Sequence, residues 1–166
     1  VNASENRPAA RRGRVAATCA VLAAGGALAF GLAGMSGAPR AQAAPKPYSA
    51  NCQVCHKADG SGTTGVFPRL SGRLGTAAAS KEGRKWLVSV VLYGQSGAIT
   101  VNGKPIRAAM LPFQRLPDAD VASALNWAVK GGKPFTPAEV ATVRGAGPTT
   151  AVKVGEMRKT IADQLK

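Results

Sequence analysis

The run Asn51-Cys52-Gln53-Val54-Cys55-His56-Lys57 constrains this chain more than any other stretch. On a short helix, side chains three and four positions apart share a face. Cys52 and Cys55 then point the same way, and His56 lies one turn beyond Cys52. Two thiols so placed can each bond to a vinyl edge of a porphyrin, which leaves the imidazole aimed at the iron. C-x-x-C-H is the attachment pattern of one covalent haem c, and imidazole is a common axial ligand of haem iron.

The other uses of C-x-x-C fit the inventory less well. A structural zinc site takes four Cys or His ligands, whereas this chain has three Cys and one His in all. A thioredoxin-type pair belongs beside a βαβ pattern, and no strand is evident in the sequence. Only 5% of the residues are aromatic, a thin supply of large core side chains. A covalently held macrocycle would join the core and make up the deficit.

A chain of 166 residues suits one domain plus an export segment. Residues 1–14 are polar and end in Arg11-Arg12-Gly13-Arg14; Val15 to Pro39 carry no charge. Arg40 closes that run, and Ala41-Gln42-Ala43 follows as a small-x-small site. Basic flank, apolar run and A-x-A together read as a secretory signal, residues 1–43, cleaved after Ala43. The rival reading is an uncleaved anchor, because the uncharged run is long enough to span a bilayer with the arginines left inside. Its richness in Ala and Gly weakens that drive and favours cleavage. Cys19 stands near the start of the run, so a lipoprotein site does not fit. After cleavage only Cys52 and Cys55 remain, which suits an oxidising compartment. The expected location is the periplasm, with anchoring to the cytoplasmic membrane as the alternative.

The remainder divides into a domain over 44–148 and a helical tail over 149–166. Ser49 is expected to cap a first helix that ends near Gly60. Residues 58–80 read as loop, in which Gly60, Gly62 and Gly65 would let the backbone pass close to a flat ligand. Without a preceding strand or a closing Lys-Ser or Lys-Thr, they do not read as a phosphate loop. Ser80 opens a helix through Trp86, Leu87, Val90, Val91 and Tyr93 that stops at Gly94. Gln95 to Pro117 reads as irregular. Asp118 is expected to cap a helix through Val121, Leu125 and Val129, ended by Gly131-Gly132. Thr136-Pro137-Ala138-Glu139 is a capping box with Pro at the first helical position. Val154, Met157, Ile161 and Leu165 make one apolar stripe on a final helix, which docks by default.

Met110 stands in the loop Ala108-Ala109-Met110-Leu111-Pro112-Phe113. A lone Met is normally core filler, but an iron bound by one His often takes a thioether on its other face. Met35 lies in the export segment and Met157 in a helical pattern, so Met110 is the methionine placed to be a sixth ligand.

Taken together, Tyr48 to Arg144 resembles the class I cytochrome c family. The matching pieces are Tyr48-x3-Cys52-x2-Cys55-His56, Gly60-x-Gly62-x2-Gly65-x-Phe67-Pro68-x-Leu70-x-Gly72, Val90-Val91-Leu92-Tyr93-Gly94, Met110-x-Pro112-Phe113, and Leu116-Pro117-Asp118 leading to Trp127. The run 135–144 is similar to an extension in small bacterial cytochromes that accompany periplasmic dehydrogenases. The resemblance implies an all-α fold, helices wrapped around one haem, with His56 and Met110 as axial ligands. It also implies that the Pro68 carbonyl accepts a hydrogen bond from His56 Nδ1, and that Tyr48 packs near Trp127. Leu111 departs from the pattern, since these bacterial members often have a second Pro there.

The function expected is outer-sphere electron transfer between periplasmic or membrane redox partners, without catalytic residues. One alternative is a subunit of a dehydrogenase or oxidase complex. Another is a small peroxidase-like haem enzyme with a displaceable Met110, in which Arg107 would have to serve as the polar distal group. A gas or redox sensor would need an output domain. The first 43 residues hold five Lys or Arg and one Glu, so 10 of the net +14 charges stay with the mature part. Lys46, Lys57, Arg69, Arg73, Lys81, Arg84 and Lys85 flank the haem-binding segments in sequence. They predict docking on acidic patches of redox proteins, against the plainer reading of a generally basic surface. Acidic lipid headgroups are the other candidate partner; an exported haem protein would seldom meet nucleic acid.

Overall fold

The computed structural model describes residues 43–165. The export or anchor segment, with Cys19 and Met35, lies outside the described residues. Among these, no helix is long and apolar enough to cross a membrane.

Within the described residues, seven α-helices carry the fold: α1 Lys46–Asn51, α2 Gln53–His56, α3 Gly75–Ala79, α4 Lys81–Tyr93, α5 Asp118–Val129, α6 Pro137–Gly145 and α7 Ala151–Thr160. A 3-10 turn, Ala162–Leu165, follows α7. The class is all-α, with one hairpin that the sequence reading missed. Strand β1, Ile99–Val101, pairs antiparallel with β2, Lys104–Ile106. Asn102 and Gly103 both have positive φ, 50° and 72°, as a two-residue Asn-Gly hairpin turn requires.

Helix α4 is the hub. Ser80 Oγ accepts the Gly83 N–H at 2.9 Å and fixes its start. Gly94, at φ 73°, ends it. Trp86, Leu87, Val88, Val91, Leu92 and Tyr93 are all buried, and the helix packs against α3, α5, α6 and α7. Gly83 touches the backbone of α3 so closely that a Cβ there would collide with the Ala77 carbonyl. The residues expected to be loop before Ser80 thus include a short helix pressed onto α4.

Other boundaries differ from expectation for local reasons. Pro45 precedes α1 and Pro47 sits in its first turn, so the helix starts at Lys46. Ser49 lies inside it and donates to the Lys46 carbonyl rather than capping. The chain breaks at Cys52 and restarts, and α2 stops at His56 because Lys57 turns to φ 61°. Asp118 does not cap α5; its carboxylate pairs with Arg144 of α6 at 2.8 Å. Thr136 does cap α6, its Oγ1 accepting the Glu139 N–H at 3.2 Å.

Arg84 is a larger departure. Expected on a docking face, it is only 9% exposed. Its guanidinium donates to both Glu139 oxygens at 2.6 Å and to the carbonyls of Ala78, Lys133 and Pro134. It also lies 3.9 Å from the centroid of the Phe135 ring. Arg84 therefore ties α4 to the segment that leads into α6.

The first and fifth helices cross where Tyr48 meets Trp127, ring centroids 3.9 Å apart. The tail lies against α4, with Val154, Ile161 and Leu165 buried in the common core and Met157 half-buried beside them. The apolar stripe runs across the end of α7 into the 3-10 turn, so it is not a single helical face.

Candidate haem site

Cys52, Cys55, His56, Pro68 and Met110 come from three separate stretches and line one cavity of about 490 Å³. That volume falls within the usual range for a small-molecule or cofactor site. Leu70, Leu74, Leu87, Val91 and Leu125 supply much of its apolar wall.

Cys52 sits at the break between α1 and α2, where its carbonyl accepts the N–H groups of Cys55 and His56 at 3.2 and 2.9 Å. That single turn sets the two sulfurs and the imidazole together. Both thiols are free and partly buried. Burial, with Cys55 beside it, pushes the Cys52 thiol up to about 11. Reactive redox cysteines have lowered pKa values; the shift at Cys52 is in the opposite direction.

His56 is buried, and its Nδ1 lies 2.9 Å from the Pro68 carbonyl oxygen. A carbonyl only accepts, so Nδ1 carries the proton and Nε2 keeps its lone pair. Burial lowers the His56 pKa, with the Pro68 carbonyl opposing in part. The ring is thereby held neutral in the tautomer that ligates through Nε2.

The loop behind His56 is held by its own contacts. Tyr48 Oη donates to the Lys57 carbonyl at 3.0 Å, and the Gly62 N–H to the His56 carbonyl at 3.1 Å. Gly62 has φ 66°, and a Cβ there would lie 2.5 Å from the Phe67 oxygen and 2.7 Å from the Pro68 oxygen. Gly60 likewise leaves room for Ser71. Gly60 and Gly62 let the chain pass close to itself, and Gly62 makes room for the Pro68 carbonyl that meets His56. A Cβ on Gly65 would meet nothing.

Met110 reaches the cavity from the segment after β2. Its N–H donates to the Gln95 carbonyl at 2.9 Å and its carbonyl accepts from the Gln95 N–H at 3.1 Å. Gln95 is fixed in turn, its Oε1 accepting from buried Trp86 Nε1 at 2.8 Å. The sequence reading missed Gln95, because nothing local distinguishes it from a loop residue. Arg107, the distal group an enzyme would need, is exposed and does not line the cavity.

The donor set suits an iron macrocycle rather than a bare ion. Among the described residues, no group of three or more His, Cys, Asp and Glu side chains could hold a metal by itself. The cavity offers two thiols for thioether bonds, one neutral imidazole, one thioether sulfur and apolar walls for a flat ring. These residues fit a covalently held haem.

No protein-family model matches the chain. A cytochrome c-552 from one strain of Thermus thermophilus is 37% identical over 134 residues, spanning 75% of this chain and 90% of that protein. A second Thermus thermophilus cytochrome c-552 is 37% identical over 119 residues, 66% of this chain and 91% of its own length. The chain belongs to the monohaem class I c-type cytochromes. Its cofactor is one covalently bound haem c, and its class is that of electron-transfer proteins.

Proposed function

We propose that this protein is an electron carrier in which Cys52 and Cys55 anchor the haem by thioether bonds, with His56 and Met110 as the axial ligands. The observation that carries this reading is the buried His56 ring, oriented by the Pro68 carbonyl, in the same cavity as Met110. Bound there, the haem supplies a one-electron ferric–ferrous couple. Pro68 holds the imidazole in one tautomer and one orientation. Gln95 and Trp86 hold the backbone that presents the Met110 sulfur. Apolar side chains keep water out of the cavity, which disfavours the extra charge of the ferric state and raises the potential.

Docking is proposed at the accessible rim of the cavity. Val54, Val66 and Leu111, three of its lining residues, are 87%, 45% and 72% exposed. An apolar rim of this kind suits brief contact with a redox protein. Around it, Arg69 is exposed and lines the cavity, while Lys46, Lys57, Lys81 and Lys85 are exposed nearby in sequence. They supply the positive charge that would favour an acidic partner face. The setting proposed is the periplasm, with residues 1–43 as the export signal.

The test is ligand-state spectroscopy of the haem protein. The ferric form is expected to be low-spin with the weak far-red sulfur-to-iron band. Met110→Ala should abolish the band and open the iron to carbon monoxide. Rapid carbon monoxide binding by the unaltered protein would instead point to an open iron position, as an enzyme or sensor needs.

A further inference from the structure

Gly155 stands in the interior of α7, where glycine is disfavoured against alanine. A Cβ on it would strike the Ser96 carbonyl and come within 3.9 Å of the Gln95 side chain. One turn earlier on the same face, the Ala151 carbonyl accepts the Ser96 N–H at 3.0 Å. The tail thus meets the Ser96 backbone at both its N–H and its carbonyl.

Ser96 follows Gln95, and their backbones face opposite ways, as in an extended segment. Ser96 turns to α7, while Gln95 exchanges N–H···O bonds with Met110 at 3.1 and 2.9 Å. Gln95 is buried and lines the haem cavity, its Oε1 held by Trp86. Gly94 completes the seat, since a Cβ there would lie 2.5 Å from the Met110 carbonyl oxygen. Residues 94–96 therefore link the docked tail to Met110.

The plain alternative is packing alone, with Gly155 small so that α7 can settle on the core. Gly83 is such a case: it makes room for Ala77, which does not line the cavity. Gly155 instead meets the neighbour of the residue that holds Met110.

We infer that α7 positions the axial methionine: the Ala151–Gly155 face fixes Ser96, Ser96 fixes Gln95, and Gln95 fixes the backbone that carries the Met110 sulfur. The docked tail then keeps the sixth position of the iron closed to outside ligands. This rests on the reading of Met110 as that ligand. Gly155→Ala places a methyl group against a backbone carbonyl, which cannot swing aside as a side-chain tip can, so the segment has to move.

The experiment measures carbon monoxide binding by the ferrous haem protein, the far-red band of its ferric form and the unfolding midpoint. The variants are Gly155→Ala and Val154→Ala in α7, compared with Val140→Ala in α6 and Val152→Ala on the outer face of α7. Val154 and Val140 are both 0% exposed, whereas Val152 is 62% exposed. Gly155→Ala and Val154→Ala should weaken the far-red band. They should also speed carbon monoxide binding by about 2- to 10-fold, the range expected when one backbone hydrogen bond on Met110 is lost. Val140→Ala should lower the unfolding midpoint but leave the band and the binding rate as they are, and Val152→Ala should change none of the three. Gly155→Ala decides, and Val154→Ala decides in its place if Gly155→Ala fails to accumulate. An unchanged band and binding rate in the deciding variant overturn the proposal. Equal acceleration in Val140→Ala also overturns it, because general loosening would then suffice. A missing far-red band in the unaltered protein overturns the reading of Met110 as ligand, and the proposal with it.

Discussion

Arg84 Nε and Nη2 meet Glu139 Oε1 and Oε2, each at 2.6 Å, across 55 positions of sequence. This two-pronged pair joins α4 to α6, with the arginine only 10% exposed at its side chain. Hydrogen bonds from Arg84 hold the Glu139 pKa below its ordinary value. A carboxylate with a depressed folded pKa contributes stability above its unfolded value, about 4.3, and loses it as pH falls through the folded value. Glu139→Gln should therefore cost about 1.5–3 kcal/mol at pH 7 and progressively less below about pH 4. Denaturant unfolding at both pH values checks this; an equal loss at both would remove the ion pair as the cause.

Gly62 and Gly65 both have positive φ, 66° and 76°, but only the Gly62 Cβ position is blocked, by the Phe67 and Pro68 carbonyls. Gly65→Ala should cost about 1–2 kcal/mol from the left-handed backbone alone. Gly62→Ala should cost more, and should also disturb His56 by displacing the Pro68 carbonyl. Unfolding midpoints of the two variants, read beside the Soret spectrum, separate the effects. Equal losses with unaltered spectra would mean that the Gly62 contact does not set the histidine.

Covalent attachment predicts that the denatured, haem-loaded protein has no alkylatable thiol at Cys52 or Cys55. A peptide spanning both residues should carry the mass of haem. Cys52→Ala combined with Cys55→Ala should prevent the domain from accumulating, since a cofactor bound only to the folded state stabilises it. Normal yield of a coloured double variant would contradict thioether anchoring.

Electron transfer to an isolated acidic redox partner should slow as salt is added, because charge steering raises association by ~10 to 1,000-fold and is screened over about a Debye length. Lys57→Glu and Arg69→Glu should slow transfer at low salt and flatten its salt dependence. Arg84 is spent on Glu139 and has no part in it. A rate that is flat or rises with salt in the unaltered protein would assign docking to the apolar rim of Val54, Val66 and Leu111.

Short-range signals were legible in the sequence. The Cys52-x-x-Cys55-His56 turn, the Ser80 and Thr136 caps and the Gly94 stop each act within about one helical turn, where covalent neighbours dictate geometry. The Asn102-Gly103 hairpin was equally local and was missed, because Pro105 and the glycines around it obscured a very short strand pair. Ser49 and Asp118 failed as caps since Pro45 had already started one helix and Arg144 claimed the other carboxylate.

The sequence alone determined the cofactor chemistry: the spacing of two thiols and an imidazole leaves few other uses. The family resemblance already implied that Pro68, 12 residues on, faces His56; only the tertiary structure decided that Gln95 grips the Met110 backbone, and that Arg84 turns inward to Glu139 instead of outward to a partner. It alone set Arg158 of the tail beside Arg73. These pairings depend on how whole helices pack around α4. The same side chain is a solvated charge or a buried tie according to which distant backbone arrives next to it, and no local pattern encodes that arrival.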